Sequence, residues 1–455
     1  MLGFETIGNA TLIVYDGKPL LATDPWLGGS CYFGSWTLPY EIPDVQRQSI
    51  SDCPYVWLSH GHPDHIHSQS LETLRGCKIL IPDHFGSRLY EDLLAENFDV
   101  TVLVSGQFLK LSDRVSICSF ADFHQDAALI VKIGSTVVAN LNDCSPEGFY
   151  WSRQVRTLLK QGNPSFFLKK TTYRDADMTN FFDENDQRIE PDIRHDYISV
   201  ILKYWCDLLH PDFFIPFSHF HFFQRSDSSW ANKFIETDIN FTSETSLKKT
   251  EILPAFVHYD VTNDRVTSLN PQRHKIEIRK PEEFGDNWSD DLTKDDKSNI
   301  EHYFKRAELI HKNINFVTVR AGNSETTVVL ADGRFRRGLI IETPRKSFCE
   351  ALRLEIFDDI LIGNFAKFQL VGDWHGPETY PYLQPTLPRF VDNGRAYTDE
   401  MFANYCRYYR KSAPRDFAIN ALQRSLQMKV RPIMEKHPRI FKASAHLLGL
   451  IRSHV

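Results

Sequence analysis

The sequence predicts a layered α/β or α+β protein built from more than one unit. Three observations carry that reading. The chain has 455 residues, more than one ordinary domain holds. Its first 260 residues alternate many short β-like runs with few helical stretches. Apolar residues make up 42%, with 33 Phe, 17 Tyr and 8 Trp, which supports a packed core and excludes a largely disordered chain.

Taken in order, the strands expected in the first unit are Thr11–Tyr15, Tyr55–Leu58, Lys78–Ile81, Thr101–Val104, Ala128–Ile133 and Thr136–Leu141. The expected helices are Glu147–Leu159 and Tyr197–Leu209. Around Lys280–Lys297 the chain becomes rich in Asp, Glu, Lys and Asn and reads as a surface connection. A second unit follows, with helices at Ile300–His311 and Ser347–Phe357 and strands at Phe316–Arg320, Thr326–Leu330 and Gly338–Glu342. Gly372–Arg395 carries several Pro and Gly and reads as an irregular arm. Residues 398–452 read as helical, interrupted at Pro414, Pro432 and Pro438. The expected division is 1–260, a linker at 261–299, a small α+β unit at 300–370, and an arm with a tail at 371–455.

Composition narrows the function classes. No run approaches the roughly 18 apolar residues that span a bilayer, and Met1–Ala10 does not read as a signal peptide. Eight Cys stand singly without a CxxC, as expected of reduced thiols in a cytoplasm. No GxGxxG, Walker loop, zinc finger or RNA-binding signature is visible, so neither a nucleotide cofactor nor a nucleic-acid partner is expected. Net charge is −7, but residues 401–455 carry eleven Lys/Arg against two Asp/Glu. Such a tail can dock an acidic electron donor, meet anionic lipid through Leu447, Leu448 and Ile451, or pack on the body through Tyr405, Tyr408, Tyr409 and Phe417.

The segment that carries chemistry is Tyr55-Val-Trp-Leu-Ser-His60-Gly-His62-Pro-Asp64-His65. An apolar run ends in four metal-ligand side chains within six residues. If the strand continues, His60 and His62 share a face and meet one ion, while a turn aims Asp64 and His65 elsewhere. Imidazole with carboxylate suits zinc, iron or manganese.

This HxHxDH pattern resembles the signature of the metallo-β-lactamase superfamily. The resemblance implies an αββα sandwich over about 1–260, with later ligands at strand ends: His124, then Asp143 bridging two ions, then His221 or His219. It also implies that Asp24, in Thr23-Asp-Pro-Trp-Leu-Gly28, holds a ligand histidine from behind, and it places Asp126 beside His124 in a supporting role. Asp64 is the candidate catalytic residue, positioning a ligand or a proton.

Several stretches resemble one branch, the CMP-N-acetylneuraminate hydroxylases and related sugar-nucleotide N-acyl hydroxylases. These are Thr23–Gly28, Leu58–His65, His124 with Asp126, Asn142-Asp-Cys144 and Pro216-Phe217, and more weakly Phe357–Phe365, where that family has a sterol-carrier-like unit. The fold expected is therefore α+β: the sandwich, a smaller α+β unit and a helical tail. That family carries a Rieske domain, whereas none of the eight Cys here has a His at the required spacing.

Two enzyme readings follow. One is an iron-dependent oxygenase, using O2 and electrons from a separate redox protein. The other is a metallo-hydrolase in which one or two metals activate water against an ester, amide, lactone or phosphodiester. A purely binding or structural role fits a complete ligand set less well. Arg174, Asp177 and Arg225 are the candidate contacts for a small, anionic substrate.

Overall fold

The computed structural model describes residues 1–145, 149–171, 180–190, 197–235, 247, 249–331, 337–372, 374, 383, 386–414 and 417–418. Two sheets dominate it. The first orders its strands Arg265–Ser268, Val257–Asp260, Leu2–Ile7, Thr11–Asp16, Lys18–Thr23, Tyr55–Trp57, Lys78–Pro82 and Asp99–Leu103. The second orders them Glu251–Ile252, Phe213–Phe217, Ser165–Lys170, Thr136–Asn142, Ala127–Ile133, Val115–Ala121 and Phe108–Lys110.

Side-chain alternation makes the layers. Leu12, Val14, Leu21, Trp57 and Leu80 of the first sheet share one apolar cluster with Ile117, Leu129, Val138, Phe166 and Ile215 of the second. Phe4 meets Phe166 edge to face, with ring centroids 5.0 Å apart. The alternate residues Ile13, Ala22, Val56 and Ile79 turn the other way, toward Ile50 and Leu93 of helices Asp44–Ser51 and Arg88–Ala95. On the far face of the second sheet, Phe120, Ile130, Ala139 and Phe167 pack against Val155 and Leu159 of helix Ser152–Leu159 and against Trp205 of Tyr197–Leu209. The result is helix, sheet, sheet, helix, because period-2 strands expose two apolar faces and each must be covered.

A five-stranded sheet forms the smaller unit, in the order Phe181–Phe182, Lys367–Gly372, Arg337–Glu342, Phe316–Ala321, Ser324–Val329. Two features correct the expected boundaries. Arg265–Ser268, read as connection, pairs with Val257–Asp260 at the edge of the first sheet. Phe181–Phe182, from within the first 260 residues, pairs with Lys367–Gly372. The apolar cluster over the second sheet also continues without a break into Ile300, Phe304, Val317 and Phe348, so the two units share a core.

Helix Lys294–Arg306 starts at a reciprocal cap. Thr293 Oγ1 accepts from Asp296 N at 3.1 Å, and Asp296 Oδ2 accepts from Thr293 N at 2.8 Å. Arg345 Nε adds a third bond at 2.6 Å. Burial pushes the Asp296 carboxyl up, but the Arg345 and Thr293 hydrogen bonds outweigh it and hold it at about 2. A depressed carboxylate stabilises the fold above its unfolded value, and that contribution fades as pH falls through 4 toward 2. Asp296→Ala is expected to lower stability by about 1 kcal/mol at pH 7. Urea midpoints for parent and variant should converge near pH 2; a constant gap would refute the assignment.

Helix Asp399–Ser412 lies on the body through its aromatics. Tyr408 Oη donates to the Asp83 carbonyl at 2.8 Å, and Tyr405 and Tyr409 pack on Phe123. The basic stretch beyond, with Leu447, Leu448 and Ile451, lies outside the described residues. Among the described residues, no helix is long and apolar enough to cross a membrane.

Candidate metal centre

The chemistry-bearing side chains gather at one end of the sandwich. Lys18–Thr23 and Tyr55–Trp57 run parallel in the first sheet, and Thr136–Asn142, Ser165–Lys170 and Phe213–Phe217 run parallel in the second. Asp24, the loop 58–67, Asp143, Lys170 and Ser218 lie at or just beyond the carboxyl ends of these strands. Four non-glycine residues there take left-handed backbone: Asp24 (φ 41°), Gln125 (φ 67°), Asn142 (φ 47°) and Ser218 (φ 53°). Left-handed non-glycine backbone is often retained at functional sites.

His60 and His62 do converge, but by a turn and not by strand alternation. The strand ends at Trp57, and the backbone N–H groups of His65 and Ile66 return to the His62 carbonyl at 3.0 and 2.8 Å. His60 Nε2 lies 2.8 Å from His62 Nδ1. His60 Nδ1 meets Ser59 Oγ at 2.8 Å, and His62 Nε2 meets Asp358 Oδ2 at 3.0 Å. His65 sits between carboxylates. Its Nδ1 lies 3.2 Å from Asp24, and its Nε2 lies 3.2 Å from Asp64 and 3.8 Å from Asp143. Asp24 is itself fixed by Ser59 N at 2.8 Å and by the Asn142 amide at 2.5 Å. Asp64 accepts from Asn9 at 2.8 Å and from Tyr32 Oη at 2.5 Å.

Asp126, assigned a supporting role, has its carboxylate 3.9 Å from His60 Nε2, whereas His124 Nδ1 meets Ser145 Oγ at 3.0 Å. His219 and His221, beyond the last strand, are not among the ligand groups that meet within 4.8 Å, although Asp64 and Asp143 act electrostatically on His221. The Ser218 hydroxyl donates to Asp143 at 2.5 Å and lies 3.4 Å from His65 Nε2. His219 is bonded to the Phe217 carbonyl and Thr171, both at 3.1 Å. His221 stacks flat on Trp36, centroids 3.4 Å apart, with neither ring nitrogen hydrogen-bonded among the described residues, and both histidines line a cavity of about 250 Å³ with Tyr40, Phe220, Arg273 and His274.

The substrate contacts change as well. Arg225 is fully buried and committed to structure: it pairs with Asp227 at 2.8 Å and Asp286 at 2.7 Å, and donates to the Phe33 carbonyl at 2.8 Å. Arg174 and Asp177 lie outside the described residues.

Electrostatics favour a cation. His60, His65 and Asp143 offer ligand atoms that all lie within 4.8 Å of one another. Asp24, Asp64, Asp126 and Asp358 are buried around them. Burial raises the Asp143 carboxyl, but Lys170, His65 and His60 outweigh it and hold it well below the usual range. Burial lowers His62, but Asp358 outweighs it and lifts its pKa to about 9. Lys169 and Lys170, at the end of strand Ser165–Lys170, act on Asp143, and Arg389 acts on Asp126. Imidazole and carboxylate donors converging in a buried site fit a divalent metal.

The fold and site together define a mixed α/β protein with a buried histidine–carboxylate centre at the strand ends. No family model matches the sequence. The chain resembles metallo-β-lactamase-superfamily proteins and, among them, CMP-N-acetylneuraminate hydroxylases. It is 24% identical to the cytidine monophosphate-N-acetylneuraminic acid hydroxylase of Danio rerio over 148 residues, 30% of this chain and 25% of that one. It is also 24% identical to a Rieske 2Fe-2S iron-sulfur protein of Mycobacterium tuberculosis over 156 residues, 31% of this chain and 30% of that one. The matched stretch thus spans about a quarter to a third of these relatives. Among solved structures, the diiron β-hydroxylase CmlA from Streptomyces venezuelae aligns with 13% identity and a TM-score of 0.34, covering 59% of this chain and 54% of that one.

Proposed function

We propose that the chain is a metal-dependent enzyme, and specifically an iron-dependent hydroxylase-type oxygenase that receives electrons from a separate protein in the cytoplasm. The observation that carries this reading is the donor set around His60. Two imidazoles, His60 and His65, and one carboxylate, Asp143, with ligand atoms within 4.8 Å of one another, form the ligand combination of non-haem iron oxygenases. Those residues would hold iron, and the chemistry it would supply is O2 activation, with one oxygen atom inserted, the other leaving as water, and two electrons and two protons from outside. The chain's own residues hold the centre. Asp24 fixes the His65 ring, Ser59 fixes His60, and Tyr32 with Asn9 fixes Asp64. The hydroxylase and Rieske similarities support the same class and a donor of iron–sulfur type. Arg273 and His274, at the cavity beside His221, suit an anionic substrate such as a sugar nucleotide.

A metallo-hydrolase is the second reading, favoured by one observation. Asp143 lies between His65 and Lys170, where a bridging carboxylate of a two-metal hydrolytic site would be expected. Metal analysis separates the two. Protein expressed with both metals available is expected to retain iron, and to consume O2 when given a reduced ferredoxin and CMP-N-acetylneuraminate. Zinc retention, with ester or lactone hydrolysis indifferent to O2, would refute the oxygenase reading.

A further inference from the structure

His62 is gripped from two sides, and the two grips come from different units. Its Nδ1 faces His60 Nε2 at 2.8 Å, and its Nε2 faces Asp358 Oδ2 at 3.0 Å. A carboxylate only accepts hydrogen bonds, so the nitrogen facing Asp358 carries the proton. The lone pair of the neutral ring is then on Nδ1, turned toward His60.

Asp358 opens helix Phe357–Gly363 of the smaller unit, 296 positions from His62. Its placement is rigid. Phe357 N donates to Asp392 Oδ2 at 3.1 Å, and the Phe357 ring packs among Tyr303, Phe304, Phe348 and Phe368. The Asp358 side chain is 4% exposed, and among the described residues its Oδ1 has no hydrogen-bond partner. A buried carboxylate with one oxygen unsatisfied is costly; the helix N-terminus offsets part of that, and His62 is the partner of its other oxygen. Its position is accounted for by what it does to His62.

We propose that Asp358 is a positioning residue of the metal centre: the smaller unit fixes the His62 tautomer and ring angle, so that Nδ1 presents its lone pair to an ion shared with His60. The proposal rests on the metal-dependent reading, but not on the choice between oxygenase and hydrolase. Supporting carboxylates of this kind affect metal affinity by roughly 10–100-fold.

The test uses the full chain and three variants: Asp358→Ala, the size-conserving Asp358→Asn, and His60→Ala. Zinc(II) and cobalt(II) affinities are measured against a chromophoric chelator, with visible spectra of the cobalt(II) forms. Both Asp358 variants are expected to bind about 10–100-fold more weakly and to show altered cobalt(II) bands, while metal-free thermal midpoints stay close together. If Asp358→Ala fails to fold, Asp358→Asn alone carries the test. Parental affinity and an unchanged spectrum in the folded variants, with binding lost in His60→Ala, would overturn the positioning role alone. Parental binding in His60→Ala as well would overturn the metal centre itself.

Discussion

An Asp143→Ala protein is expected to purify folded but without stably held metal. Asp143 is where the two halves of the site meet. It follows strand Thr136–Asn142 of the second sheet and faces His65 from the motif loop of the first. It is also tied to Ser218 Oγ at 2.5 Å and to Lys170 Nζ at 3.3 Å. Removing it takes one of the three ligand groups that meet within 4.8 Å and leaves a lysine charge beside the site. The loss of metal affinity should exceed the roughly 10–100-fold typical of a supporting residue. Turnover should fall with it. Metal content after gel filtration and a chelator titration measure this. A variant retaining the parental metal stoichiometry would show that Asp143 is no ligand.

The second large effect concerns Arg225, and it is an effect on stability. Its guanidinium is shared between Asp227, Asp286 and the Phe33 carbonyl, and it lies 4.1 Å over the Phe365 ring. Asp286 in turn accepts from the Ser347 backbone at 3.0 Å and from its hydroxyl at 2.5 Å. This arginine therefore joins the sandwich to the helix Arg345–Leu354 of the smaller unit. Arg225→Ala leaves Asp286 buried without its partner and should cost about 3–5 kcal/mol. Arg225→Met with Asp286→Leu, which removes both charges, should recover much of it. Urea unfolding of the two proteins measures the difference. A single variant with unchanged stability but weakened substrate binding would return Arg225 to the role read from sequence.

How much of this was legible follows from how local each signal is. His60, His62, Asp64 and His65 lie in one short loop after an apolar strand, so type and spacing alone mark them. Asp24 and Asp143 are carboxylates at the ends of apolar runs, which marks them too. Ser218 was not legible. In an unbroken strand it would alternate with its neighbours, and a one-residue step exchanges the faces. The left-handed Ser218 breaks that alternation, and the serine hydroxyl reaches Asp143. Asp358 carried no local pattern at all, because its partner lies 296 positions away. Arg225 misled for a related reason: its partner Asp286 sits in a stretch whose composition reads as connection.

The left-handed residues around the centre also bear on how such a sequence drifts over generations. Holding a non-glycine residue in that conformation costs on the order of 1 kcal/mol, and β-branched residues are barred from it. Glycine would relieve the backbone at Asp24, Asn142 and Ser218, yet none of the three is glycine. Each instead presents an oxygen or nitrogen to the cluster: Asp24 to His65, Asn142 to Asp24, Ser218 to Asp143. Neutral change at these positions therefore runs toward glycine, and only selection on the site runs against it. A descendant released from the chemistry would keep its sandwich and show its release first as glycine at those three strand ends.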